Sequence, residues 1–213
     1  MNLFEKLKVN KAIPPFLRKK GSFVVDDSIG IALLTALSYK ENNDSYLLIT
    51  SNLYKAQQIY NLLTEFVDYQ DILLFPADEL LRGEMLAQSK EMTAQRIYVL
   101  HEALKNKRKI IIANLSSAVR YLPSPELFKN SCLEFEVGKS YQFDEIKKQL
   151  VKYGYSNVSK IDQSLQFAFR GDIIDIYSVN NDNPVRIEFF GDEIESIRFF
   201  DIATQTSIKS IKS

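Results

Sequence analysis

Three short apolar runs, separated by stretches of helical periodicity, constrain this chain more than any other feature. They are Tyr46-Leu47-Leu48-Ile49-Thr50, Asp71-Ile72-Leu73-Leu74-Phe75 and Ile110-Ile111-Ile112-Ala113. Each is too short for a buried helix and reads as a strand, the first of them buried. After the first, Ser51-Asn52 suit an N-cap, and Ile59, Tyr60, Leu62, Leu63, Phe66 and Val67 recur at helical spacing. Pro76 stops the second run. A helix from about Ser89 to Leu104 follows, with Thr93, Ile97, Leu100 and Leu104 on one stripe. Strand, helix, strand, helix, strand requires an α/β layer, because parallel neighbours need crossover helices. The first domain is expected over residues 1–118.

The pattern changes at Tyr121-Leu122-Pro123-Ser124-Pro125, where two prolines stop both helix and ladder. A helix from Asp144 to Tyr153 is expected to bury Ile146, Leu150 and Val151 and to close at Gly154, a C-terminal glycine. Phe167–Tyr177, Val185–Phe190 and Ile194–Phe200 then read as β segments. This is a smaller α+β domain, expected over 119–205.

Composition excludes several classes. At 46% hydrophobic and 12% aromatic the chain is not disordered as a whole. Its 27 basic and 27 acidic side chains cancel, so no global field favours nucleic acid or membrane. Locally, residues 1–20 hold Lys6, Lys8, Lys11, Arg18, Lys19 and Lys20 against Glu5, a net of +5, while 160–213 carry a net of −3. A direct DNA-binding reading rests on that basic cluster and ranks last, since the rest is neutral to acidic. Cys132 has no internal partner, and His101 is the single histidine, which leaves Cys-His catalysis and ordinary zinc sites without parts. No run approaches the ~18–20 apolar residues of a membrane span, and no signal peptide is visible, so a cytoplasmic protein is expected.

The candidate chemical motifs are weak. A phosphate loop needs glycine-freed N–H groups, a lysine and a hydroxyl. The stretch Gly21–Ala32 places Ile31 and Ala32 after Gly30 and carries Asp26 and Asp27, which repel a triphosphate. Asp26–Asp27 and Asp78–Glu79 are adjacent carboxylates, which in a strand or helix point to different sides and supply no converging acid/base pair. His101 lies in a helix with no second ligand nearby. Lys105, Lys107, Arg108 and Lys109 follow that helix and settle its C-terminus. Arg170-Gly171-Asp172 matches an adhesion tripeptide by chance. No catalytic, cofactor or metal residue is assigned.

Residues 165–200 are more informative. The apolar set moves from Phe167 and Phe169 to Ile174 and Ile176 across Gly171, as a glycine bulge would produce. Gly191-Asp192 suits a two-residue type II′ hairpin, which sets Phe190 opposite Glu193, Glu188 opposite Glu195 and Arg186 opposite Ile197. Val185, Ile187, Phe189 and Ile194 then face the core, and Arg186, Glu188, Phe190, Glu193 and Glu195 face away. An arginine and a phenylalanine rimmed by carboxylates have the composition of a protein-binding hot spot. The competing reading packs Phe190 beneath the helix of residues 144–153, with the charges solvating an edge.

Tyr153-Gly154-Tyr155, Phe169-Arg170-Gly171-Asp172-Ile173-Ile174-Asp175-Ile176-Tyr177 and the run Val185–Asp201, continued by Thr204-Gln205-Thr206-Ser207, resemble a signature shared by the excision-repair subunit UvrB and the transcription-repair coupling factors. Leu74-Phe75-Pro76-Ala77-Asp78-Glu79, with Arg96 in the helix beyond, is similar to the coupling factors' first domain. UvrB-type chains have an intact phosphate loop and a tyrosine-rich hairpin, both absent here, so the resemblance favours the coupling factors. It implies a helicase-like first domain without a working nucleotide loop, then a UvrB-like domain that binds UvrA. Residues 206–213 would begin a return to the first domain. It also implies that the chain is a non-enzymatic piece of an ATP-dependent DNA translocase. ATP and magnesium would bind in a downstream motor, and RNA polymerase and double-stranded DNA would bind through other domains. The family's UvrA contacts, two arginines and a phenylalanine, fall on Arg170, Arg186 and Phe190, with Glu188, Glu193 and Glu195 as the rim. Arg186→Ala and Phe190→Ala are both expected to weaken UvrA binding by about 2 kcal/mol without unfolding. The alternative is a UvrB-type nuclease subunit that binds nucleotide and DNA.

Overall fold

The computed structural model describes residues 3–22, 24–77, 90–105 and 107–213. The adjacent carboxylates Asp78 and Glu79 lie outside them. The chain divides into two compact units, 1–122 and 123–213.

In the first unit, helices α1 (Leu3–Lys8), α2 (Ile13–Leu17) and α3 (Ser28–Glu41) precede a sheet of β1 (Tyr46–Thr50), β2 (Ile72–Phe75) and β3 (Ile110–Asn114). Its order is β1-β3-β2, all parallel, as the crossover argument requires. Helix α4 (Leu53–Thr64) connects the first two strands and starts where Asn52 accepts the Lys55 N–H at 2.8 Å. On one face, α3 and α4 bury Ala32, Ala36, Ile59 and Leu63 against Ile72, Leu74, Ile110 and Ile112. On the other, α5 (Lys90–Ala103) sets Val99 against Leu73, Phe75 and Ala113. The short α6 (Leu115–Ala118) follows β3.

The second unit begins with α7 (Pro125–Asn130) and α8 (Phe143–Lys152). Its six-stranded sheet is β4 (Ser156–Asn157), β5 (Gln166–Arg170), β6 (Ile173–Tyr177), β7 (Val185–Phe190), β8 (Glu193–Phe200) and β9 (Ser207–Ile211), in chain order and antiparallel after the β4–β5 pair. Helix α8 lays Ile146 and Leu150 on Phe167, Ile174, Ile187 and Phe189, each apolar side chain contributing about 1.5–3 kcal/mol of burial. Gly154, at φ +86°, closes the helix: its N–H bonds Val151 O and the Tyr155 N–H bonds Leu150 O, a Schellman pair. Val151 is 56% exposed and does not join the core, because the buried stripe follows i, i+4 from Ile146.

Two further expectations are corrected. The parity switch at Gly171 comes from a tight hairpin, not a bulge. Gly171 has φ +57° and Arg170 pairs with Ile173, so Phe169 meets Ile174 and Phe167 meets Ile176. A two-residue loop exchanges odd for even positions just as an inserted residue does. Residues 206–213 do not leave the second unit: β9 pairs with β8, and the Val137 N–H reaches Lys212 O at 3.0 Å.

Candidate protein-docking face

One face of the second sheet carries α8. The opposite face carries the even-numbered side chains of β7, and every candidate docking residue lies there or at the adjoining hairpin end. Gly191, at φ +62°, makes the expected turn and pairs Phe190 with Glu193. The turn is braced. The Tyr141 N–H donates to Asp192 O at 2.8 Å, Gln142 Nε2 donates to Asp192 Oδ2 at 2.9 Å, and Ser140 bridges Glu193 on its far side. Phe190 at the end of this pinned hairpin is 83% exposed. Of the two adjacent rings of β7, the one that α8 covers is Phe189, 4.5 Å from Phe143 between centroids. The competing reading, in which Phe190 packs under that helix, is overturned.

Beyond Phe190 and Glu193 the expected register fails. Pairing shifts between Glu188 and Phe189, so Glu188 opposes Ser196 and Arg186 opposes Arg198, in place of Glu195 and Ile197. Glu195 is the extra residue, and it is exposed. The cause is legible: Ile194 and Ile197 are both buried yet three positions apart, which a regular strand cannot deliver to one face.

The new register decides what the charged residues do. Arg186 and Arg198 are direct neighbours, and each turns toward its own carboxylate. Arg186 grips Asp175 of β6 with two bonds, Nε to Oδ1 at 2.7 Å and Nη2 to Oδ2 at 2.9 Å. It also donates to Gln205 Oε1 at 3.0 Å and lies 4.3 Å above the Phe200 ring. Asp175 is 2% exposed, and it sits by a small second core of Ile161, Ala168 and Phe200. The hydrogen bond to Asp175 raises the Arg186 pKa further above its ordinary value. Arg186 is therefore a rivet of the sheet and not the free cation expected, so an alanine there cannot leave the fold untouched.

Arg198, which sequence reasoning missed, donates to Glu188 from Nη1 and Nη2, and Ser196 Oγ adds a bond at 2.7 Å. Arg198 and then Ser196 hold the Glu188 carboxyl below the usual carboxylate range. What remains open to a partner is Phe190, Glu193, Glu195 and Arg170. Arg170 is exposed and its Nη2 donates to Ser159 O at 3.0 Å. Arg170 and Glu188 flank Ile173 on neighbouring strands, so they stand about 10 Å apart across the sheet.

The other candidates resolve into structure. Asp27 caps α3, accepting the Gly30 N–H at 2.6 Å. A Cβ on Gly30 would sit 2.4 Å from Val25 Cγ1, so this glycine serves packing. His101 is half-buried, with its pKa lowered by burial and by Lys105. Lys109 is buried, donating to Gln70 O and pairing with Glu102, and Arg108 stacks 4.0 Å over Tyr39. The helix-end cations are thus partly internal ties. Among the described residues, no group of three or more His, Cys, Asp or Glu could hold a metal ion, and no helix is long and apolar enough to cross a membrane.

Residues 133–213, the whole six-stranded sheet with α8, match the UvrB interaction domain family. The second unit is thereby placed among domains of that class. The chain is 35% identical over 182 residues to the transcription-repair-coupling factor of Bacillus subtilis (strain 168), covering 85% of this chain and 16% of that protein. It is 33% identical over 181 residues to that of Staphylococcus haemolyticus (strain JCSC1435), covering 85% and 15%. Over this segment the chain is homologous to the transcription-repair-coupling factors, and it spans about one sixth of the length of these curated relatives.

Proposed function

We propose that this chain recruits UvrA, the damage-sensing subunit of the excision nuclease, to RNA polymerase stalled at a lesion. The observation that carries the reading is the exposed Phe190 ring on a braced hairpin next to Glu193 and Glu195, with Arg170 exposed two strands away, while the reverse of the sheet is sealed by α8. An aromatic anchor inside a charged rim has the composition of a hot spot, and the bracing limits the ordering cost of association. Arg186 and Glu188 support the face indirectly, by fixing the strands that carry it.

The corresponding longer protein is proposed to be an ATP-dependent DNA translocase that takes ATP, magnesium, double-stranded DNA and the polymerase through other domains. The segment itself is read as non-enzymatic and cytoplasmic. Its first unit is read as a helicase-like domain without a working nucleotide loop. In support, the Asp27 carboxylate takes the Gly30 N–H at the start of α3, where a phosphate would otherwise be received. The match to a UvrB interaction domain leaves a nucleotide-binding UvrB-type subunit as the competing reading, and heat on titration with magnesium-ATP would favour it.

The test of docking is calorimetric titration of purified UvrA with the wild-type chain and with Phe190→Ala. The variant is expected to bind about 2 kcal/mol, or roughly 30-fold, more weakly. Equal affinities would remove the assignment.

A further inference from the structure

Helices α1 and α2 form a basic cap whose carboxylates are already engaged. Lys8 pairs with Glu41 at 2.7 Å and with Glu5, Lys19 pairs with Asp44 at 2.9 Å, and Asn42 Nδ2 donates to Leu17 O at 3.2 Å. These bonds clasp the two helices to the end of α3 and the turn into β1. They also engage the carboxylates of Glu5, Glu41 and Asp44. Lys6, Lys11, Arg18 and Lys20 remain exposed, and among the described residues none of them forms an ion pair. The neutral total of the chain hides this separation, because the acidic excess lies in the second unit, where 14 acidic side chains face 11 basic ones over 123–213.

The chemistry of the cap selects its partner. Over residues 3–22 no aromatic ring is exposed: Phe4 packs edge-on to Phe66, and Phe16 is half-buried. Without stacking rings there is no platform for unpaired bases. Long cationic side chains on an ordered surface suit instead a regular array of phosphates, whose counterions they release. We propose that the α1–α2 cap is a contact surface for the backbone of duplex DNA, independent of the docking face on the second unit. Binding there is non-specific in sequence and orients the segment on the DNA.

The experiment is fluorescence anisotropy of a labelled duplex of about 20 base pairs, titrated with the whole chain between about 20 and 150 mM salt. Four neutralised phosphates predict a slope of log affinity against log salt of about −3 to −4. The triple variant Lys11→Ala/Arg18→Ala/Lys20→Ala is expected to bring the slope to about −1 and to cut affinity at low salt at least tenfold. Lys147→Ala/Lys148→Ala, on α8 of the other unit, leaves both unchanged. All substitutions are at exposed positions, and unaltered thermal melting confirms folding. Three results would overturn the proposal: no anisotropy change with protein at about 100 µM in low salt, a triple variant that binds like the wild type, or tighter binding to the matching single strand.

Discussion

Replacing Arg186 with alanine separates the two roles that its position allows. The side chain holds Asp175, which is 2% exposed, through two charge-assisted bonds. Removing the guanidinium leaves that carboxylate without its cation in a site where it is 2% exposed. Breaking one partner of a buried ion pair costs about 3–5 kcal/mol, far above the ~0–1 kcal/mol of a surface pair. The loss of the contact with Phe200 acts in the same direction. Native-state hydrogen exchange of the β6, β7 and β8 amides reads the opening free energy of this sheet directly. Arg186→Ala is expected to lower it by about 3–5 kcal/mol. The double replacement Asp175→Leu/Arg186→Met, which removes both charges together, should recover most of the loss, as apolar substitution of whole buried pairs does. Phe190→Ala, at an exposed site, should leave the same amides within about 0.5 kcal/mol of wild type. If Arg186→Ala costs less than about 1 kcal/mol, the pair is not buried as described and the rivet argument is wrong.

Other consequences follow from the same sheet. Gly171→Ala places a side chain at φ +57° with open space around it, so its cost is backbone strain alone, about 1–2 kcal/mol by chemical denaturation. Because folding holds Glu188 below its ordinary pKa, it contributes stability above the unfolded carboxylate value that is lost as pH falls through the depressed one. Acid titration followed by circular dichroism should show that loss, and Glu188→Gln should flatten it. Deleting Glu195 removes the bulge but leaves Ile194 and Ile197 two positions apart, the spacing that a regular strand delivers to one face, so both should stay buried and the thermal melting midpoint should stay near that of wild type.

Much of the framework could be read from residue patterns. The three parallel strands follow from apolar runs alternating with helical periods, and Gly191-Asp192 announces its turn. These are local signals. The misreadings arose where two local causes share one signature, or where the deciding contact is distant in the chain. A parity switch at Gly171 fits bulge and hairpin equally. The three-residue spacing of Ile194 and Ile197 did point to the bulge, and its shift of register is what pairs Glu188 with Arg198. That Asp175 neutralises Arg186 depends on the register between β6 and β7, set by a connection of seven residues, 178–184, whose Asn183-Pro184 marks a turn without fixing a register. The bracing of the hairpin by Tyr141 and Gln142 comes from about fifty residues upstream and left no trace in local patterning.

Hydrogen exchange of the whole chain with and without UvrA locates the bound surface without relying on any substitution. Slowed exchange is expected at residues 170–173 and 188–195, the hairpin ends that carry Arg170 and Phe190, with α8 unchanged. Protection confined to α8 or to the first unit, or no protection at saturating UvrA, would contradict the docking assignment.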